Sequence, residues 1–222
     1  VITRELGKIS AFARGARKPG NALMAPCESF AFGTFCIYPG KNSYTVEKAV
    51  IKNYFRELAD DLCGACYGYY FLELADYFSR ENEDGRAMLE LLYYTMKALL
   101  DKRIPNKLVR NVYELKQLVI NGQYPEFFCC AECGSTGNLN GFSILRNGVV
   151  CASCRNQKGV MDISPAALYA LQFTVSTPID KLYSFTVKDE VLNELTQVMH
   201  RCVDAYVDKR MKSLDMLEIV DN

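Results

Sequence analysis

The sequence predicts an α+β protein: a small antiparallel sheet or partial barrel over residues 1–53, then an α-helical domain over 54–222 with a metal-held insert at 129–158. Three observations carry this. Before Asn53 the chain is cut into short runs rich in Phe, Tyr, Val, Ile and Thr; after it, apolar residues recur at helical spacing; and from Cys129 to Lys158 that periodicity gives way to Cys, Gly, Asn and Ser. With 222 residues and 50% hydrophobic content, the chain can bury a sizeable core.

Taking the elements in order, Lys8 to Arg14, Glu28 to Tyr38 and Ser43 to Ile51 read as strands, separated by Gly15, Pro19-Gly20 and Pro39-Gly40. The turn from Pro39 through Asn42 to Ser43 is no phosphate loop, because Phe35 stands where a glycine five residues before Gly40 is needed. Asp61 to Ser79 is apolar almost all round, the mark of a central buried helix. Met88, Leu91, Leu92, Met96, Leu99 and Leu100 form a helical stripe that stops before Pro105, and Leu108, Val112, Leu115, Leu118 and Val119 form another. Beyond the insert, Ser164-Pro165 reads as N-cap and first helical residue, and Thr186 with Asp189 as a capping pair. The last stripe runs through Val191, Leu195, Val198, Met199, Cys202 and Tyr206.

Charge and cysteine content bound the class. Twenty-six Lys and Arg balance 26 Asp and Glu, but residues 1–53 hold eight cations against three carboxylates, net +5. Ten cysteines without an export signal or a short loop-rich chain favour reduced thiols and metal ligation over a disulfide framework. No run approaches the roughly 18 apolar residues of a membrane span, and the expectation is a cytoplasmic protein without membrane partners. The chain opens on Val1 rather than Met, so it reads as starting part-way into its first domain.

Cys130-Ala-Glu-Cys133 and Cys151-Ala-Ser-Cys154 are two C-x-x-C pairs with 17 residues between them, the spacing of a four-thiolate zinc site, and Gly134 suits the turn after the first pair. Two redox dithiols are the alternative, and Cys129 offers a C-x-x-x-C spacing in place of Cys130. Four thiolates close the coordination sphere, so such a zinc is structural rather than catalytic. Cys63 and Cys66 share the spacing but sit in a helical stretch, where core packing is the better reading.

Alternation along Lys8 to Arg14 sends Ile9, Ala11 and Ala13 to one face and Lys8, Ser10, Phe12 and Arg14 to the other, with Arg17 and Lys18 following in the turn. Cations interleaved with an aromatic suit single-stranded nucleic acid, phosphates on Lys or Arg and bases on the ring; an ordinary solvated strand face has the same composition. No nucleophile and base stand together, and the only histidine, His200, reads as a surface residue beside an apolar stripe. No catalytic residue is assigned, and an enzyme is not expected.

The segment Leu6-Gly-Lys-Ile-Ser-Ala-Phe-Ala-Arg-Gly-Ala-Arg-Lys-Pro19, followed by helices and the two C-x-x-C pairs, closely resembles the RecO family of bacterial DNA repair proteins over nearly the whole chain. The resemblance implies an N-terminal OB-fold, here lacking its first segment, joined to the helical domain. It also implies binding to single- and double-stranded DNA and annealing of complementary strands; Lys8, Phe12, Arg14, Arg17 and Lys18 of the strand face are the candidate DNA contacts, and a nucleoid-associated location is expected. The partners implied are RecR, the acidic tail of single-stranded DNA-binding protein and, indirectly, RecA. Lys102, Arg103, Lys107 and Arg110 flank apolar helices and are candidates for docking that tail, although a solvated basic turn would look the same. The alternative from another class is a zinc-stabilised protein-interaction adaptor that does not bind DNA.

Overall fold

A computed structural model describes residues 1–41, 43–156 and 158–220; Asn42 of the expected turn and Gln157 of the insert lie outside the described residues. The fold is mixed α+β and divides into two compact units, Val1–Leu100 with Met211–Asn222, and Asp101–Arg210. Packing therefore groups the first three helices and the last one with the N-terminal strands, whereas the period of the sequence changes near residue 53.

In the first unit, β1 (Ile2–Thr3) and β2 (Gly7–Lys8) pair antiparallel, and β3 (Ala11–Ala13), β4 (Phe32–Pro39) and β5 (Tyr44–Asn53) form a second sheet in the order β3-β5-β4. That sheet is mixed rather than wholly antiparallel: β4 and β5 make a long antiparallel hairpin, while β3 lies parallel to β5. Among the described residues the two sheets do not close into a barrel. The expected strand Lys8 to Arg14 is broken because its partners change, with Lys8 N–H donating to the Arg80 carbonyl at 3.0 Å and Ile9 N–H to the Val1 carbonyl at 2.9 Å. Gly7 permits this at φ 60°, for a Cβ there would stand 2.1 Å from the Arg80 carbonyl oxygen. The second strand starts at Phe32 rather than Glu28, since a short 3-10 turn occupies Ala25–Cys27 and Phe30 takes a left-handed φ of 67°.

The helices of this unit are α1 (Arg56–Asp60), α2 (Leu62–Phe78) and α3 (Arg86–Leu100). α2 is the central buried helix that its all-round apolar sequence requires: Tyr67, Tyr70, Phe71 and Leu74 are fully buried, each contributing about 1.5–3 kcal/mol of burial. Phe30 reaches this helix at Gly68, where a Cβ would come within 2.7 Å of its ring.

The second unit is built on α4 (Asn106–Ile120), with a three-stranded sheet of β6 (Leu139–Ser143), β7 (Gly148–Cys151) and β8 (Met161–Asp162) in the order β7-β6-β8, then α5 (Pro165–Ser176) and α6 (Asp189–Tyr206). Ser164 caps α5 as its sequence predicts, its Oγ accepting from Ala167 N–H at 3.2 Å. The expected cap of α6 is not made: Lys188 is its N-cap residue and no side chain bonds there, so Asp189 and Glu190 serve the first turn by charge alone. Lys116 is buried and donates from Nζ to the carbonyls of Thr174, Val175 and Thr177 at 3.2, 3.0 and 2.7 Å, closing the C-terminal end of α5. Finally α7 (Lys212–Val220) belongs to the first unit, where Glu73 on α2 accepts from the N–H groups of Lys212 and Ser213 at 3.3 and 2.9 Å.

Candidate metal centre and nucleic-acid face

Two turns bring the four cysteines together. Cys130 N–H donates to the Ser135 carbonyl and Gly134 N–H returns to the Cys130 carbonyl, both at 2.8 Å, with Gly134 at φ 72°. Cys151 ends β7, and the turn beyond it is closed by Cys154 N–H on the Cys151 carbonyl at 3.0 Å. The sheet sets the two turns side by side, since Ala131 N–H bonds the Val149 carbonyl at 2.8 Å and Cys151 N–H donates to the Cys130 sulfur at 3.3 Å.

All four sulfurs lie within 4.8 Å of one another. The Cys133 and Cys151 sulfurs are 3.7 Å apart, close to the roughly 3.8 Å edge of a tetrahedron with metal–sulfur bonds of about 2.3 Å. The donors therefore fit a tetrahedral ion, and Cys130, not Cys129, completes the set. Burial opposes ionisation of Cys130, but the N–H groups of Cys133, Cys151 and Glu132 outweigh it and bring the thiol down to about 6. Cys154 goes the other way, pushed up to about 12 chiefly by the sulfurs of Cys151 and Cys133. Crowded sulfurs that resist joint ionisation are what a divalent cation neutralises, and a sphere of four thiolates leaves no position for a substrate.

The strand-face expectation holds from Ile9 onward: Ile9 is buried, Ala11 and Ala13 are half-buried, and Ser10, Phe12 and Arg14 are exposed. Lys8 departs from it, because its Nζ is held 2.8 Å from Asp76 Oδ1 and 3.1 Å from the Asp76 carbonyl. Arg14, Arg17 and Lys18 are exposed and, among the described residues, make no ion pair.

Register adds residues that the sequence reading missed. Phe12 and Tyr38 both pair with Thr45, one from each side, so the two rings flank a single threonine on the outward face of the sheet. Phe12 is 66% exposed and Tyr38 56%. Lys48 extends this face one row further, opposite Cys36. Alternation along Glu28 to Tyr38 was the available signal for Tyr38, but its meeting with Phe12 needed the non-local parallel pairing of β3.

The four proposed docking cations do not gather as a free cluster. Arg110 Nε is 2.7 Å from Glu114 Oε1, with the carboxylate buried and the guanidinium nearly so. Arg103 is exposed but forks onto Asp101, which its hydrogen bonds hold down at about 2. His200 is exposed and sits 3.1 Å from Asp204; Cys66 is buried in α2, in keeping with a packing role.

The architecture thus defines a class: a mixed α+β protein with a four-cysteine cluster able to hold a metal ion in one unit and an exposed aromatic and basic sheet face in the other. No helix among the described residues is long and apolar enough to cross a membrane. The family models described as Recombination protein O N terminal and Recombination protein O C terminal match residues 1–55 and 59–215. Among similar proteins, the DNA repair protein RecO of Acetivibrio thermocellus is 31% identical, covering 100% of this chain and 89% of the relative. That of Halalkalibacterium halodurans is 30% identical over 98% of this chain and 87% of the relative, and that of Clostridium acetobutylicum 28% over 99% and 89%. The chain belongs to the RecO family of DNA repair proteins.

Proposed function

We propose that this protein is a non-catalytic recombination mediator, which binds single- and double-stranded DNA, anneals complementary strands, and with RecR helps load RecA onto DNA coated by single-stranded DNA-binding protein. The observation that carries the reading is the outward sheet face: two exposed rings across Thr45, with Glu47 at the Tyr38 hydroxyl, beside Arg14, Arg17 and Lys18, which make no ion pair among the described residues. Phosphates are drawn to Arg14, Arg17 and Lys18 and bases stack on Phe12 and Tyr38, which tolerates any sequence because every base has a π-face. Bringing two strands onto screened, basic ground favours pairing without bond chemistry. The strands of this unit are read as part of an OB-type barrel, the ion in the four-cysteine site as structural zinc, and the site of action as the cytoplasmic nucleoid. Recruitment of the acidic tail and of RecR is assigned to the helical part, with Lys102, Arg103, Lys107 and Arg110 as the candidate contacts, of which Arg103 and Arg110 would exchange Asp101 and Glu114 for the tail.

Fluorescence anisotropy of a labelled single-stranded oligonucleotide across a salt series tests this, comparing the wild type with Arg14→Glu, Arg17→Glu, Lys18→Glu. Salt-sensitive binding that the triple variant loses is expected. Absence of binding by the wild type would leave the zinc-stabilised adaptor as the better account.

A further inference from the structure

Past the last strand pair, rings and cations gather again where β5 gives way to α1 and meets α3. β5 ends at Asn53, and Phe55 turns the chain through a left-handed φ of 46° into α1, whose first residue, Arg56, lays its guanidinium over the Tyr54 ring at 5.0 Å from the centroid. Phe55 meets Tyr93 of α3 at 5.8 Å between ring centroids, and Phe32, opposite the end of β5, meets the same ring at 4.8 Å. Tyr94 packs edge-on against Tyr93, and Lys97 one turn later sits over both rings at 5.6 and 6.0 Å. Neither Lys97 nor Arg56 makes an ion pair among the described residues, and both are exposed. Surface lysines and arginines usually find a carboxylate or solvent; these two lie on aromatic faces instead.

We propose that Tyr54, Arg56, Tyr93, Tyr94 and Lys97 form a second station for single-stranded nucleic acid, reached by a strand that leaves the Phe12–Tyr38 row and follows β5. The inference rests on the proposed DNA-binding reading of the sheet and assigns a further contact site to it. Rings and cations divide the binding between them, for a base stacks on a tyrosine ring while the cation now over that ring moves to the flanking phosphate. The two stations are separated by the nine-residue step from Thr45 to Tyr54, about 30 Å of extended strand, so a short oligonucleotide engages one of them and a longer one both. Bridging makes the second contact intramolecular and raises affinity without changing the first.

The test uses the full chain with oligonucleotides of about 6 and about 16 nucleotides, spanning the usual site sizes of such sheets, and the double variant Arg56→Glu, Lys97→Glu. The wild type should prefer the long probe. In the variant, affinity for the long probe should fall about tenfold, and its salt slope should flatten by about 1.4, as expected for two lost phosphate contacts. Binding of the short probe should stay within about twofold, because the first station is untouched. Lys97→Gln, which keeps the aliphatic stem on the rings, should show about half of the slope change and guards against a folding defect. Unchanged long-probe affinity and slope would overturn the second station while leaving the sheet face in place. A wild type that binds neither length would overturn the proposed function together with it. Loss of an acidic peptide's binding with no change for either oligonucleotide would reassign the cluster to a protein partner and likewise overturn the proposal.

Discussion

Phe12 and Lys8 lie four residues apart in the same basic run, yet their surroundings give them opposite roles. The Phe12 ring stands in solvent at 66% exposure, where leaving an apolar side chain costs burial energy that nothing in the unit recovers. Lys8 is already engaged by the Asp76 carboxylate and carbonyl. Phe12→Ala is therefore expected to weaken single-strand binding by about 1–3 kcal/mol, the value of one stacked base, with the melting temperature unchanged. Lys8→Ala should do the reverse, leaving anisotropy titrations nearly unchanged and lowering stability by about 0.2–1 kcal/mol, the range for an exposed ion pair. Equal loss of affinity in the two variants would show that Lys8 leaves Asp76 to meet phosphate. The cysteines sort in the same way. Cys27 and Cys36 are exposed, whereas burial pushes the Cys202 thiol far up and keeps it protonated. Alkylation followed by peptide mapping should label Cys27 and Cys36 first in the metal-loaded protein and Cys202 only after unfolding.

At the scale of elements, two helices depend on side chains distant in sequence. α5 ends on Lys116, whose three carbonyl contacts satisfy groups that a helix C-terminus leaves unbonded. Lys116→Ala should cost about 1–3 kcal/mol, read as a lower urea midpoint at unchanged slope. α2 admits Phe30 only because residue 68 is glycine, so Gly68→Ala forces that ring aside and should cost about 1–3 kcal/mol despite the better helix propensity of alanine. Neither dependence is legible locally. What the sequence does disclose follows chain-local rules: the bounds of α2, α3 and α4 come from apolar period and Pro105, the Ser164 cap from its neighbour Pro165, and the cysteine set from two short spacings. What it conceals needs pairing across the chain. The parallel register that places Tyr38 beside Phe12, and the cap that Glu73 supplies to α7 from 140 residues away, have no local signature. Arg110 reads as one more basic residue of a helix start in the sequence, and only the fold reveals that Glu114 holds it.

For the whole molecule, the zero formal charge conceals a division between a basic N-terminal segment and an acidic remainder, so association with a polyanion depends on how charge is distributed. Counterion release ties that distribution to a measurable slope: each phosphate neutralised on a single strand contributes about −0.7 to the dependence of log K on log salt. Arg14, Arg17, Lys18 and Lys48 on the sheet face, with Arg56 and Lys97 beyond it, predict a slope of about −4 for a long oligonucleotide. Reversing Arg14, Arg17 and Lys18 should remove about half of it. The four-cysteine site lies in the other compact unit, so metal loading and the proposed oligonucleotide binding can be tested apart. Stripping the ion with a chelator should release about one metal per chain and abolish hydrogen-exchange protection across β6, β7 and β8, whose packing around Phe127 and Phe142 is tied to the two cysteine turns. Oligonucleotide affinity and its salt slope should survive that treatment, since the residues that set them are held by the other unit's own sheet and helices. If chelation instead removes oligonucleotide binding while α2 and α3 keep their exchange protection, the principal DNA contacts lie on the metal-held unit and the sheet face is secondary.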